Sequence, residues 1–145
     1  MQLSEILKSK ADRLLALPPT ASVFRAALLM KTGGVGAVLV CEQGCVLGVV
    51  SERDLVLAIA GRGAAVFGLN IGEVMTVDVP TASPNMPVQT VMRIMTEQRV
   101  RHLPVVENGV AVGVVSIGDL LKSRLAEKIQ ENAVLQDLAR AHLAA

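Results

Sequence analysis

Aromatic residues are almost absent from this chain of 145 residues, which has no tryptophan, no tyrosine and two phenylalanines, Phe24 and Phe67. Proteins that bind single-stranded nucleic acid usually stack bases on aromatic side chains. The net charge is also small, +1 from 14 basic and 13 acidic residues, so no general attraction draws the chain to nucleic acid or to an anionic membrane. We therefore expect neither among its partners.

Cysteine and histidine are scarce as well, with two residues of each. His102 and His142 lie far apart and have no obvious co-ligands, so we expect no metal site. Cys41 and Cys45 flank three residues that we interpret as a hairpin loop. A disulfide bridge between them is geometrically possible and would offer redox control. In a reducing compartment they would instead be two small apolar residues with free thiols.

Long hydrophobic runs are missing too, although 52% of the residues are hydrophobic. Stretches such as residues 37–41 and 46–50 have the length of strands and are too short to cross a bilayer. The N-terminus lacks the basic region and the apolar stretch of a signal peptide. We expect a cytoplasmic protein with a large buried core.

What the chain does contain is an internal repeat. The segment 48–55, Gly-Val-Val-Ser-Glu-Arg-Asp-Leu, returns at 113–120 as Gly-Val-Val-Ser-Ile-Gly-Asp-Leu, an offset of 65 residues. The offset holds without a gap from Pro19 and Pro84 to Leu55 and Leu120. Such a repeat predicts two copies of one small α/β unit.

A helix is predicted early in each copy. An extended piece, at residues 14–17 and 79–81, leads to a proline-marked turn. Thr20 and Asn85 then stand at equivalent positions, where we expect each to supply the N-cap oxygen of a helix. Apolar residues follow at the i, i+3, i+4, i+7 spacing of one buried helical face. They are Val23, Ala26, Ala27 and Met30 in the first copy and Val88, Val91, Met92 and Met95 in the second.

Two strands and a second helix complete each copy. The strand pairs are residues 37–41 with 46–50 and 103–106 with 110–115, and Gly44 and Gly109 mark the hairpin turns. Their nearly continuous apolar character predicts strands that are covered on both faces. The second helices start at Glu52 and Ile117.

The C-terminal residues 121–145 are typical of one continuous helix. Its apolar residues lie roughly on one stripe, formed by Leu121, Leu125, Ile129, Leu135 and Leu138 together with His142. The stripe either covers its own domain or contacts a second copy of the chain. We predict three parts: a first repeat at 1–66, a second at 67–125 and a helical tail at 126–145.

The repeated Ser-x-x-Asp has two interpretations. Ser51 and Asp54 in one copy, and Ser116 and Asp119 in the other, stand where a strand turns into a helix. As local structure, each pair resembles a capping box. As a binding site, the helix N-terminus offers N–H groups to a phosphate or hydroxyl, and a carboxylate there can accept bonds from the two hydroxyls of a ribose. Arg53 can reach an anion.

These motifs together resemble a tandem pair of CBS (cystathionine-β-synthase) domains, a Bateman module of the stand-alone bacterial type. The resemblance rests on Glu-Val-Met-Thr at 73–76, Arg-His-Leu-Pro-Val-Val at 101–106 and the doubled Gly-Val-Val-Ser-x-x-Asp-Leu, and it extends from Glu5 to about Leu125. It implies an α/β (α+β) fold in which two β-α-β-β-α repeats pack about a pseudo-two-fold axis, with a C-terminal helix added.

The resemblance also implies ligands and their positions. CBS pairs bind AMP, ADP, ATP, S-adenosylmethionine or NADH in the clefts between the repeats. Asp54 and Asp119 would take ribose hydroxyls, and Ser51 and Ser116 would lie near ribose or phosphate. Further positions match phosphate contacts, at Arg53, Arg101 and His102, or the adenine slot, at Gln98 and Val100. The copies differ, because Gly36-Ala37 corresponds to Arg101-His102 and Gly118 to Arg53. Two equal sites are therefore not expected, and His102 could also be simply a polar residue at a strand start.

The function implied is regulatory. No Ser-His pairing, Gly-x-Ser-x-Gly or Walker A motif is present, so we expect a binding module and not an enzyme. The leading hypothesis is a homodimeric adenine-nucleotide sensor, a disk of four CBS repeats that acts on a partner protein in trans and requires no cofactor. The alternative is a structural interaction module with degenerate, empty clefts.

Overall fold

The computed structural model describes residues 1–9 and 14–144 and contains five helices and five strands within them. In chain order they are α1 (Leu3–Ser9), β1 (Ala16–Leu17), α2 (Val23–Gly33), β2 (Ala37–Glu42), β3 (Cys45–Ser51), α3 (Glu52–Arg62), α4 (Val88–Gln98), β4 (His102–Glu107), β5 (Val110–Ser116) and α5 (Ile117–Ala144). Short 3-10 helices at Gly63–Gly68 and Ile71–Glu73 follow α3. The α/β fold with two repeated units is confirmed.

The strands form two small sheets whose pairing repeats with the sequence. β1 pairs in parallel with β2, which pairs antiparallel with β3, and β4 pairs antiparallel with β5. The register shifts between Val40 and Cys41 in one hairpin and at the equivalent Val105 and Val106 in the other. In place of a second β1, Ala82 makes a single parallel bridge to Val105. The two hairpins therefore share not only their sequence but also a register shift at equivalent positions.

Each hairpin closes through a two-residue turn. Gln43 and Gly44 have φ of 52° and 81°, and Asn108 and Gly109 have φ of 52° and 78°. Positive φ at both positions is the geometry that matches the right-handed twist of the strands. The three-residue loop expected between the cysteines is thus one residue too long, because Glu42 pairs with Cys45.

The predicted helix faces are confirmed and the predicted caps are wrong. Val23, Ala26 and Met30 are buried, as are Val88, Val91 and Met95. The N-cap of α2 is Ser22, whose hydroxyl accepts a bond from the Arg25 amide, and that of α4 is Pro87, which has no capping side chain. Thr20 and Asn85 lie two residues earlier, inside turns closed by amide-to-carbonyl bonds from Ala21 to Pro18 and from Met86 to Ser83.

The two repeats interlock through their cores. Leu3 and Ile6 of α1 pack into the core of the second repeat, with Leu103 and Leu120, whereas Ile71 packs into the core of the first. A third cluster of Ala37, Leu39, Val49 and Ala111 joins the sheets of both repeats. Because β2 alternates between this cluster and the first core, both of its faces are covered, as predicted.

The C-terminal part of α5 extends away from this body. Leu120 is fully buried, but every residue from 128 to 143 is exposed. The interpretation that the tail covers its own domain is therefore wrong for these residues. Within residues 1–9 and 14–144, no helix has the length and apolar character that a membrane crossing requires.

Candidate functional site

The N-terminus of α3 is built around the first Ser-x-x-Asp. Ser51 ends β3 and is the N-cap of α3, and its hydroxyl accepts a 3.2 Å bond from the Asp54 amide. In return, Asp54 Oδ2 accepts bonds from the Ser51 amide at 2.8 Å and from the Ser51 hydroxyl at 3.0 Å. The capping-box interpretation is confirmed here, and the reciprocal bonds hold the carboxylate at the helix terminus.

The N-terminus of α5 repeats this arrangement. Asp119 Oδ2 accepts a 2.8 Å bond from the Ser116 amide, and the Ser116 hydroxyl accepts a 3.1 Å bond from the Asp119 amide. All four groups are partly buried. The two carboxylates therefore occupy equivalent positions, each at the positive end of a helix dipole.

Thr76 also bonds to the first of these caps, although the sequence pattern did not predict it as a binding residue. Its hydroxyl donates a 3.0 Å bond to Asp54 Oδ1, so both carboxylate oxygens of Asp54 are engaged. Oδ2 accepts two bonds and Oδ1 accepts one, so the four acceptor sites of the carboxylate leave one on Oδ1 for a ligand hydroxyl. Thr76 is held by two backbone bonds with Val49, and its carbonyl oxygen lies 2.6 Å from where a Cβ on Gly48 would stand. The feature of the sequence that could have pointed to Thr76 is its position in the Glu-Val-Met-Thr motif.

His102 belongs to the second repeat, but its side chain reaches the first. Its backbone lies opposite Ser116 in the β4–β5 register. Its Nε2, however, lies 3.2 Å from the ideal Cβ position of Gly36, and the Glu52 carboxyl carbon lies 3.7 Å from that same point. Gly36 also accepts a 2.9 Å bond from the Glu52 amide at the start of α3. The imidazole therefore stands beside the α3 cap, where Gly36 leaves room for it.

Four further residues were predicted to bind the ligand: Arg53, Gln98, Val100 and Arg101. Arg53 is exposed in the first turn of α3, and the Arg101 carbonyl accepts a 2.9 Å bond from the Ile117 amide, as Gly36 does in the first repeat. Gln98 is the exposed last residue of α4. Val100 is half-buried and packs against the core of the second repeat. Their contacts with a ligand stay a prediction.

The two cysteines are on opposite faces of their hairpin. Cys41 lies opposite Val46 and Cys45 opposite Glu42, so they are not the facing pair that the sequence suggested, and both thiols are free. Burial raises the pKa of the Cys41 thiol, and the coulombic effect of Cys45 adds to the rise. In the part of the chain that the structure describes, no group of three or more His, Cys, Asp or Glu could hold a metal ion.

We expect iodoacetamide to alkylate Cys45 faster than Cys41 at neutral pH. Cys45 is exposed, whereas Cys41 is partly buried and its raised pKa keeps less of it as the reactive thiolate. Peptide mass spectrometry over a time course measures both rates, and a Cys41→Ser variant serves as the control for Cys45. Faster modification of Cys41 would contradict this order.

Comparison with known proteins gives this geometry its context. The family model for the CBS domain matches twice, at residues 4–61 and 71–126. The chain belongs to the CBS domain family. The CBS domain-containing protein YhcV of Bacillus subtilis is 28% identical over 132 residues, which are 91% of this chain and 94% of YhcV. Both helix caps described above lie inside the matched ranges.

Solved CBS structures share the arrangement. The CBS-domain containing protein ATU1752 from Agrobacterium tumefaciens is 39% identical, with a TM-score of 0.79 over 85% of this chain and 92% of its own. The CBS domain protein PAE2072 from Pyrobaculum aerophilum, solved in complex with AMP, is 30% identical, with a TM-score of 0.73 over 82% of this chain and 89% of its own. The resemblance inferred from the doubled motif is thereby confirmed.

Proposed function

We propose that this chain is a regulatory module that binds an adenine nucleotide in clefts between its two CBS repeats. The observation that carries the proposal is the α3 cap, where Ser51 and Asp54 of the first repeat bond to each other and Thr76 of the second repeat bonds to Asp54. His102, also of the second repeat, lies beside Gly36 at the start of the same helix. Oriented oxygen acceptors, a helix N-terminus and an imidazole together suit a ribose phosphate. The AMP complex of the Pyrobaculum relative supports this ligand class.

Each group has a proposed role. Asp54 accepts a bond from a ribose hydroxyl, and the N-terminus of α3 with Arg53 and His102 faces the phosphate. In the second cleft, Asp119 takes the ribose, Ser116 lies near it and Arg101 faces the phosphate. Gln98 and Val100 line the adenine slot. S-adenosylmethionine and NADH share the adenosine part and are the competing ligands.

The two clefts are proposed to be unequal. His102 stands beside the α3 cap, and Arg53 lies in the first turn of the same helix, so two basic groups serve that cleft. The equivalent of Arg53 beside the α5 cap is Gly118. We expect the cleft at α3 to fill first.

The module is proposed to act through association and not through catalysis. Two copies form a homodimer, and the nucleotide changes how this dimer binds a regulated partner protein. A structural role with empty clefts is the alternative, favoured by the internal bonds that already engage both oxygens of Asp54. The two functions differ in whether purified protein binds nucleotide.

Titration with AMP tests the proposal. The chain has no Trp or Tyr, so an absorbance band at 260 nm in purified protein reports bound nucleotide, which mass spectrometry identifies. We expect AMP at about 100 times its Kd to stabilise the nucleotide-free protein by about 2.7 kcal/mol in thermal unfolding. ATP, S-adenosylmethionine and NADH are compared in parallel, with guanosine monophosphate as the control. If purified protein has no 260 nm band, and none of these ligands gives heat or stabilisation, the nucleotide proposal is wrong and the structural role is favoured.

A further inference from the structure

Two ionisable side chains from different repeats meet beside the N-terminus of α3. Gly36 has no side chain, and the point where its Cβ would stand lies 3.2 Å from His102 Nε2 and 3.7 Å from the Glu52 carboxyl carbon. Because both groups lie within 4 Å of one point, they are separated by less than the Debye length, which is about 8 Å at physiological ionic strength. A ligand phosphate that contacts the imidazole is therefore also close to the Glu52 carboxylate.

No bonded cation neutralises the Glu52 carboxylate. Glu52 is the first residue of α3 and is exposed, and among the described residues no ion pair involves it. Asp54, the other acidic residue of this turn, is bonded within the cap. The groups around the helix start are thus the Arg53 guanidinium and the His102 imidazole, which attract an anion, and the Glu52 carboxylate, which repels one. This arrangement suits a small negative charge better than a large one.

The second repeat shows that the helix cap does not require this carboxylate. At the 65-residue offset, Ile117 corresponds to Glu52 and Arg101 to Gly36. The Glu52 amide donates a 2.9 Å bond to the Gly36 carbonyl. The Ile117 amide donates a bond of the same length to the Arg101 carbonyl. An acidic residue in the first turn favours a helix through the dipole, but α5 begins with the same backbone bond and an isoleucine. The charge at position 52 is therefore available for another role.

We propose that Glu52 determines which adenine nucleotide the α3 cleft accepts, by admitting AMP and disfavouring ADP and ATP. The inference rests on the proposed function, which places the phosphate at the α3 N-terminus beside Arg53 and His102. One phosphate is attracted by these two groups and by the helix dipole. ATP carries about two more negative charges than AMP at neutral pH, and the Glu52 carboxylate repels both. Two charges roughly 7 Å from a carboxylate in a largely aqueous dielectric weaken binding by about tenfold.

The ratio of the dissociation constants of ATP and AMP tests this role. Calorimetric titrations use Asp119→Ala as the parent variant, in which the α5 cleft lacks its ribose carboxylate and the α3 cleft is intact. EDTA removes Mg²⁺, so ATP keeps its full charge. The parent should bind AMP about tenfold more tightly than ATP. Adding Glu52→Gln should tighten the binding of both nucleotides and lower the ratio by about tenfold. If circular dichroism shows that this variant is unfolded, Glu52→Ile repeats the measurement with the residue type that the second repeat carries at the equivalent position.

Glu42→Gln on the same parent is the matched control, because it changes the net charge by the same amount. Glu42 is exposed at the other end of β2, six residues from Gly36, or about 20 Å along an extended strand. This distance exceeds the Debye length, so the ratio should stay within about twofold of the parent's. The inference is overturned if the parent binds ATP as tightly as AMP, if Glu52→Gln leaves the ratio unchanged, or if Glu42→Gln lowers it equally. In each of these cases AMP still binds and the proposed function stands, whereas binding of neither nucleotide would overturn both.

Discussion

Replacing Gly48 with alanine should lower the free energy of unfolding by about 2–3 kcal/mol. A Cβ at this position would stand 2.6 Å from the Thr76 carbonyl oxygen and 2.9 Å from the Met75 sulfur. The closer contact is with backbone, which cannot rotate away as a side chain can. Moving Thr76 would strain its two backbone bonds with Val49 and shift the hydroxyl that bonds to Asp54. We therefore expect AMP affinity to fall together with stability.

The matched control for this change is Gly61→Ala. Gly61 lies inside α3, and a Cβ there would meet no atom within 4 Å outside the helix's own backbone. Alanine has the higher helix propensity, so this variant should be more stable by about 0.5–1 kcal/mol. Urea unfolding at constant pH measures both differences. Equal stabilities for the Gly48→Ala variant and the wild type would show that the Thr76 segment moves without cost.

The sequence predicted the strands and helices well because the repeat constrained them twice. Where one copy was ambiguous, the other supplied the pattern, and the hairpin turns at Gly44 and Gly109 are both confirmed. The N-caps were misassigned because Thr20 and Asn85 belong to proline-marked turns. Turn residues and cap residues have the same chemistry, so composition alone does not separate them. Tertiary pairing with Leu69 fixes α2 to begin at Val23.

The candidate site was only partly accessible from sequence. Ser51 with Asp54 is a local contact over three residues, and its doubled occurrence made it visible. Thr76 reaches Asp54 from 22 positions away, and His102 reaches Gly36 from the other repeat. Neither contact has a periodicity that reveals it. The interlocked cores likewise follow from how α1 returns to the second repeat, which depends on packing and not on the repeat itself.

Replacing Asp54 with alanine should weaken AMP binding at the α3 cleft by about 100-fold. A bond that the Asp54 carboxylate accepts from a ribose hydroxyl is a bond to a charged group and contributes about 1.5–3 kcal/mol, and the upper part of this range corresponds to about 100-fold. The same change removes the capping box and the bond from Thr76, so stability should also fall by about 1–2 kcal/mol. Isothermal titration calorimetry measures the affinity and urea unfolding measures the stability.

Two further variants separate ligand contact from helix capping. Ser22→Ala removes the cap of α2 and should cost about 1 kcal/mol while AMP affinity is unchanged. Ser22 precedes an 11-residue helix, about 16 Å from the end that leads to Gly36.

Asp119→Ala removes the equivalent carboxylate beside α5 and, because the α3 cleft fills first, should leave the tighter binding event in place. If Asp54→Ala binds AMP as the wild type does, the carboxylate is a helix cap alone. If Asp119→Ala loses the tighter event instead, the order of the clefts is reversed, and His102 beside Gly36 does not mark the stronger site.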